Sequence, residues 1–288
     1  MADILSKLAG ELNLKKSQVE NTVKLIDDGN TIPFIARYRK EVTGGLDDQV
    51  LRELFDRLTY LRNLEQRREE VRRLIAEQDK LTAEVNEALD RAETLQEIED
   101  IYRPYKPKRR TRASIAHEKG LEPLAAIIYA QSWKTGDAAE AAAPYIDPDK
   151  GVSSAEEAIA GALDIIAEMI SDNAEYRKKI REMTFREGVL VTSAKKEEDS
   201  PYQMYYDFRE PVSRIAPHRV LAINRGEREE YLSVKLEAPE ERILDWLKSR
   251  TVLKEESIFK TFVEKAVEDA YSRLIKPSIE NEIRSSLT

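Results

Sequence analysis

Six cations crowd into ten positions, Arg103, Lys106, Lys108, Arg109, Arg110 and Arg112, and no acid interrupts them. Such a cluster suits phosphate oxygens, because each Lys or Arg can neutralise one backbone charge and release its counterion. Tyr102 and Tyr105 add flat faces on which a base can stack. Pro104 and Pro107 disfavour helix and predict an extended strip. The chain as a whole carries a net charge of −8, so it repels polyanions at long range and a basic island must act locally. Two readings stand side by side: a phosphate-and-base contact, or a basic loop that pairs with neighbouring acidic helices.

A second cluster, Arg37, Arg39 and Lys40, has Tyr38 among its charges. On a short helix Arg37 and Lys40 are three apart and are expected to share a face. The alternative buries Phe34, Ile35 and Tyr38 while the cations meet Glu41 and nearby acids. His218 and Arg219, near the start of a helix, resemble a phosphate-facing pair; an ion pair with Asp207 or Glu210 explains them more simply. Asp164 and Glu168 lie one helical turn apart among apolar residues and can be read as paired acids. The polar side of an ordinary amphipathic helix again explains them more simply.

Other chemistry finds little to work with. Two histidines and no cysteine exclude thiolate sites and make a histidine metal cluster unexpected. There is no P-loop, dinucleotide glycine fingerprint or nucleophile elbow. No catalytic residue, cofactor, metal or small-molecule substrate is therefore expected, and the chain reads as non-enzymatic. Absent cysteines also suggest a reducing compartment. With no signal peptide and no membrane-length apolar run, a cytoplasmic protein without a membrane partner is expected.

The elements that must position these residues are helices. Charged residues make up 35% of the chain and glycines number only 10, which fits long solvated helices better than a β-sandwich. Leucines open a first helix, Ser17 with Glu20 offers a capping box for a second, and Pro33 sits in the first turn of a third. Gly44 and Gly45 close this small helical head, residues 1–46. Asp47 caps a long connecting helix, 47–78, whose apolar stripe is interrupted by the mixed-charge run Arg62–Glu70; the run reads as a solvated strut bridging two bodies. Thr82, and Thr94 with Glu97, start two shorter helices. They open a helical body, 79–187, that includes the strip 102–112. In it, Ser153 with Glu156 and Ser154 with Glu157 are alternative boxes for a helix through Ile170. The small residues at the start of that helix permit close approach of a neighbour. A mixed segment, 188–288, holds two expected strands, Val189–Ser193 and Tyr231–Leu236, around a charged loop 195–201. A helix from Pro217 is expected to stop at Gly226, and three more span Pro239–Lys248, Glu255–Ile275 and Ser278–Ser286.

Four separated strings resemble one family: Thr31–Glu41 with Thr43–Asp47, Asp100–Ala113, Gly120–Leu124, and Tyr206–Pro211 followed by His218–Gly226. In this order they are similar to the N-terminal portion of the bacterial Tex family of transcription accessory proteins. The resemblance implies a mainly α-helical, elongated multi-helix scaffold with a helix-turn-helix-like element and very little β-structure. It also implies a role in transcription and nucleic-acid binding, usually attributed to a C-terminal OB-fold. Relatives of this core occur in a eukaryotic transcription elongation factor that handles histones. Family members continue into an RNase H-like domain, helix-hairpin-helix motifs and the OB-fold. None is present, so a chain ending at Leu287-Thr288 is expected to be a fragment, and no catalytic residue is carried over. The expected function is an N-terminal scaffold of a factor that binds RNA, DNA or both and acts with the transcription machinery. The alternatives are a protein–protein scaffold without nucleic-acid affinity of its own and, third, a metal-dependent hydrolase.

Overall fold

The computed structural model describes residues 2–196 and 198–287. Met1, Thr288 at the expected chain end, and Glu197 of the expected charged loop lie outside the described residues. The chain divides into two compact units, the first ending at Tyr102 and the second opening at Arg103.

The first unit contains α1 (Ala2–Glu11), α2 (Lys16–Asp27), α3 (Ile32–Tyr38), α4 (Lys40–Thr43), α5 (Asp48–Ala76), α6 (Ala83–Arg91) and α7 (Leu95–Tyr102). The expected Ser17 box is displaced: α2 starts at Lys16, and the Lys15 amide donates to Gln18 Oε1 at 3.1 Å. Asp47 caps α5 as its sequence requires, its carboxylate accepting from the Val50 amide at 2.9 Å. Leu51, Leu54, Leu58 and Leu61 on α5 are buried with Leu8, Val19, Val23 and Ile35 of the preceding helices. Further along, Val71 and Ile75 are buried with Leu89 and Ile98 of α6 and α7.

The mixed-charge run of α5 is a seam within this unit and not a freely solvated strut. Arg68 takes a stripe position between Leu64 and Val71 with only 14% of its side chain exposed. Its guanidinium donates to the carbonyls of Leu89 and Ala92 at 2.9 and 2.8 Å, satisfying the end of α6. Arg62 meets Asp27 at 2.7 Å, Arg67 meets Glu99 at 2.6 Å, and Arg72 meets Asp90 at 2.7 Å. Long arginine stems let these positions cover apolar surface while the charge reaches a partner.

The second unit opens with a 3-10 turn, Arg103–Tyr105, then α8 (Arg112–Glu118), α9 (Glu122–Ala130), α10 (Ala138–Ala142), α11 (Ala155–Ser171) and α12 (Ala174–Glu187). It continues through β1 (Val189–Ala194), β2 (Asp207–Pro211), α13 (Pro217–Arg228), β3 (Leu232–Glu237), α14 (Glu240–Thr251), α15 (Lys260–Asp269) and α16 (Lys276–Ser286). Of the two possible boxes, Ser154 with Glu157 starts α11: Ser154 Oγ accepts from the Glu157 amide at 3.3 Å, and Glu157 accepts from the Ser153 amide at 2.7 Å. This helix is the centre of the unit, touching α8, α9, α10 and α15. A Cβ on Gly161 would lie 2.4 Å from Leu121 Cδ1, so the small residues do admit close neighbours.

The molecule is mainly α-helical and, among the described residues, has one small sheet of strand order β2-β1-β3, all antiparallel. Three expectations change here. A third strand exists, β2, in which Val191 of β1 faces Arg209 and, on its other side, Lys235 of β3. Gly226 is no stop: α13 runs on to Arg228, and the glycine is buried where a Cβ would meet Leu232 Cδ1 at 2.7 Å and Tyr202 Cδ1 at 3.0 Å. The helix expected from Glu255 begins at Lys260, then widens into a π-helical turn, Ala270–Ile275, that joins α15 to α16. Pro277 explains the widening, since its ring needs space against the preceding turn and it offers no amide hydrogen.

Candidate nucleic-acid interface

The strip is extended only in part. Arg103–Tyr105 forms the 3-10 turn, the backbone is irregular to Arg110, and Thr111 caps α8 by accepting from the Ser114 amide at 3.0 Å. Arg112 therefore belongs to the first turn of α8.

The six cations divide into three sets. Lys108 is held by α11: its ammonium meets Asp172 and lies 3.3 Å from Glu168 Oε2. Side-chain exposures of 29% for Lys108, 21% for Glu168 and 15% for Asp172 make this a half-buried clamp. Arg103 is half-buried and donates to Ser278 Oγ at 3.4 Å, the hydroxyl that also accepts from buried Arg177 at 2.7 Å. Arg110 reaches Glu118 at 3.5 Å in full solvent. Lys106, Arg109 and Arg112 are exposed and form no ion pair among the described residues.

Asp164 and Glu168 of α11 and Asp172, the residue that caps its C-terminus, recur every fourth residue and so form one acidic row. Asp164 meets Arg273 at 3.4 Å and Glu168 meets Lys108, so the expected pair of acids is dispersed onto cations. Burial raises the Asp172 carboxyl above its ordinary value, with Lys108 pulling it back. Burial likewise raises Asp164, opposed by Arg273 and Arg112. Asp172 escaped the sequence reading, although its four-residue spacing from Glu168 was the available signal.

Tyr102 is no stacking platform. Its ring is buried in the first unit, with the Arg67 guanidinium 5.6 Å from its centroid. Tyr105 is half-buried.

The second cluster is arranged differently from its expectation. The helix α3 ends at Tyr38 and Arg39 forms a junction at φ −129°, so Arg37 and Lys40 lie on separate helices and not three apart on one. Ile35 is buried, but Phe34 and Tyr38 are exposed. Arg37, Arg39 and Lys40 are exposed and form no ion pair with Glu41 or any other acid among the described residues. His218 is exposed, and Arg219 meets Glu210 at 2.8 Å as the simpler reading required.

One constellation had no local signal. Arg177 is fully buried on α12 and donates to Glu282 at 2.7 Å, joined there by Arg181 at 2.9 Å. Burial works against the Glu282 charge, yet Arg177, Arg181 and Ser278 outweigh it and hold the carboxyl below its ordinary range. The partners are about a hundred residues apart in sequence.

Comparison with known proteins places these features in a family. The Tex-like protein N-terminal domain matches residues 2–76, and the Tex central region-like family matches residues 134–288. The chain is 45% identical to the protein YdcI of Bacillus subtilis (strain 168) over 286 residues, which is 98% of this chain and 40% of that protein. It is 41% identical to the transcriptional accessory protein Tex of Neisseria gonorrhoeae over 232 residues, 80% of this chain and 30% of the relative. With the human S1 RNA-binding domain-containing protein 1 it shares 29% over 305 residues, 99% of this chain and 30% of the relative. The chain thus spans less than half the length of each of these relatives. Its central region alone accounts for more than half of its residues, and on that match this chain belongs to the Tex family.

Proposed function

We propose that the chain is a non-catalytic scaffold of a transcription accessory factor that contacts nucleic acid, RNA or DNA, in the cytoplasm and acts with the transcription machinery. The observation that carries this reading is the division of labour in the strip. Lys108 is fixed between Glu168 and Asp172 and the Arg112 charge acts on Asp164, while Lys106 and Arg109 stand exposed without acid partners among the described residues. An anchored segment presenting unpaired cations loses little freedom on meeting a phosphate backbone. The names of a transcriptional accessory protein and an S1 RNA-binding domain-containing protein among its relatives point the same way. In the head, α2 and α3 are joined by a short turn with Gly29 at φ +84°, and we take them as the helix-turn-helix-like element. Asp164 and Glu168 engage cations, which favours the non-catalytic reading over a hydrolase.

Fluorescence anisotropy with a labelled single strand and a duplex across a salt series tests the strip. Lys106→Ala/Arg109→Ala is expected to weaken binding and flatten the log–log salt slope by about 1.4 on a single strand, at about 0.7 per phosphate contact. No binding at low salt, or an unchanged slope in the variant, overturns the assignment. A second reading, a protein–protein scaffold without nucleic-acid affinity, draws on the net charge of −8 and on the cations turned toward the protein's own side chains. Retention of RNA polymerase by the wild-type chain, with no oligonucleotide binding, is the result that favours it.

A further inference from the structure

We infer that the α3–α4 corner of the first unit is a stacking site for unpaired bases, selective for single-stranded nucleic acid. This inference rests on the nucleic-acid reading above, but on different residues. Tyr38 is 61% exposed and Phe34 36%, and their ring centroids lie 5.3 Å apart. The Arg39 guanidinium sits 5.1 Å from the Phe34 ring centroid, so the aromatic pair is bordered by a cation. Arg37, Arg39 and Lys40 adjoin Tyr38 in sequence, against a single acid, Glu41, between Thr31 and Leu46. None of the three cations has an ion-pair partner among the described residues, in a chain whose other arginines mostly do.

The corner is also held in place. Gln18 Nε2 donates to the Gly44 carbonyl at 3.2 Å and Asn21 Nδ2 to the Val42 carbonyl at 3.0 Å, fastening α4 to α2. Gly44 is at φ +69°, and a Cβ there would approach Gln18 Nε2 to 3.0 Å, so the fastening depends on glycine. Ile32 and Ile35 are buried and fix α3 from beneath. Exposing two large rings costs apolar hydration that core packing would have removed. An occupant that covers the rings and neutralises the cations restores both terms, and a nucleotide offers a flat base and a phosphate together. A duplex keeps its bases stacked on one another, so only an unpaired base can lie on Tyr38.

The test uses the full 288-residue chain with labelled oligo(U) and a duplex of equal length. Tyr38→Ala is expected to weaken oligo(U) binding about 5- to 150-fold, the range for losing one base–aromatic stack, and to leave the duplex within about twofold. Tyr38→Leu, which keeps an apolar side chain at this exposed position, is expected to lose affinity too, while Tyr38→Phe retains it. Equal loss on both nucleic acids, or no loss in Tyr38→Ala and Tyr38→Leu at unchanged melting temperature, overturns the inference. Stronger competition by a polyglutamate peptide than by unlabelled oligo(U) also overturns it, in favour of an acidic protein ligand. An effect of Tyr38→Ala with none from Lys106→Ala/Arg109→Ala defeats the strip assignment alone, and the reverse pattern defeats stacking alone.

Discussion

Lys108→Met separates the holding of the strip from its display. The ammonium lies between Asp172 and Glu168 with all three side chains at most 29% exposed. An exposed pair contributes about 0–1 kcal/mol, whereas breaking a buried one costs about 3–5 kcal/mol. Intermediate exposure places the loss at about 2 kcal/mol, or about 4–8 °C in melting temperature for a unit of this size. Because burial raises the folded Asp172 pKa, the native state binds more protons than the unfolded chain as pH falls. The charged carboxylate therefore costs stability at neutral pH, and that cost fades as pH drops through the raised value toward 3.8. Removing Lys108 raises the carboxyl further and enlarges the cost. Urea denaturation followed by circular dichroism should show a larger deficit at pH 7 than near pH 4.5, with Asp172→Asn added to the variant recovering part of it. The same variant should leave the salt slope for nucleic acid unchanged, since this lysine is already neutralised. A deficit independent of pH, or none at all, refutes the clamp.

Three further outcomes are expected. Glu282 has a folded pKa below the ordinary 4.5, so its contribution is present above that pH and lost as pH falls through the depressed value; Glu282→Gln should flatten the acid limb of the urea-midpoint profile. Gly226→Ala gains about 1 kcal/mol of helix propensity but meets Leu232 and Tyr202, at an overpacking cost of about 1–3 kcal/mol; a stabilised variant in thermal melts would contradict the close approach. Thr94→Ala removes the Oγ1 that accepts from the Glu97 amide at 3.1 Å and should cost about 1 kcal/mol by calorimetry.

What the sequence made legible was local. Asp47, Thr82 and Thr94 cap their helices because the signal and the structure lie within four residues of each other. The strand β2 was missed because Asp207-Phe-Arg-Glu-Pro211 has little β propensity of its own; its partner in β1 supplies the pairing from up to 22 residues away. Gly226 looked like a stop because glycine commonly ends helices, yet here it admits Leu232 from the following strand. Arg177 has an ordinary helical neighbourhood, and only the arrival of Glu282 makes its burial tolerable. Tyr102 beside six cations invited a stacking role, but the Arg67 guanidinium already lies against that ring. Candidate cations were readable by type, whereas which of them are committed to internal partners depended on tertiary neighbours.

That distinction explains how an acidic chain can present a basic surface. Left bare, Asp164, Glu168 and Asp172 would put three negative charges on the helix beside the strip and repel an approaching phosphate. Lys108 covers Glu168 and Asp172, and Arg273 covers Asp164. The anchoring contacts thereby also reduce the local repulsion, and at physiological salt the remaining acids of the chain are screened beyond about 8 Å. Lys106 and Arg109 then remain exposed in the strip without an acid partner among the described residues, although the whole molecule carries a charge of −8. Neutralising the acid row by Asp172→Asn/Glu168→Gln should therefore do less for nucleic-acid affinity than the removal of two formal charges suggests, because it frees Lys108 while also releasing the segment that presents its neighbours.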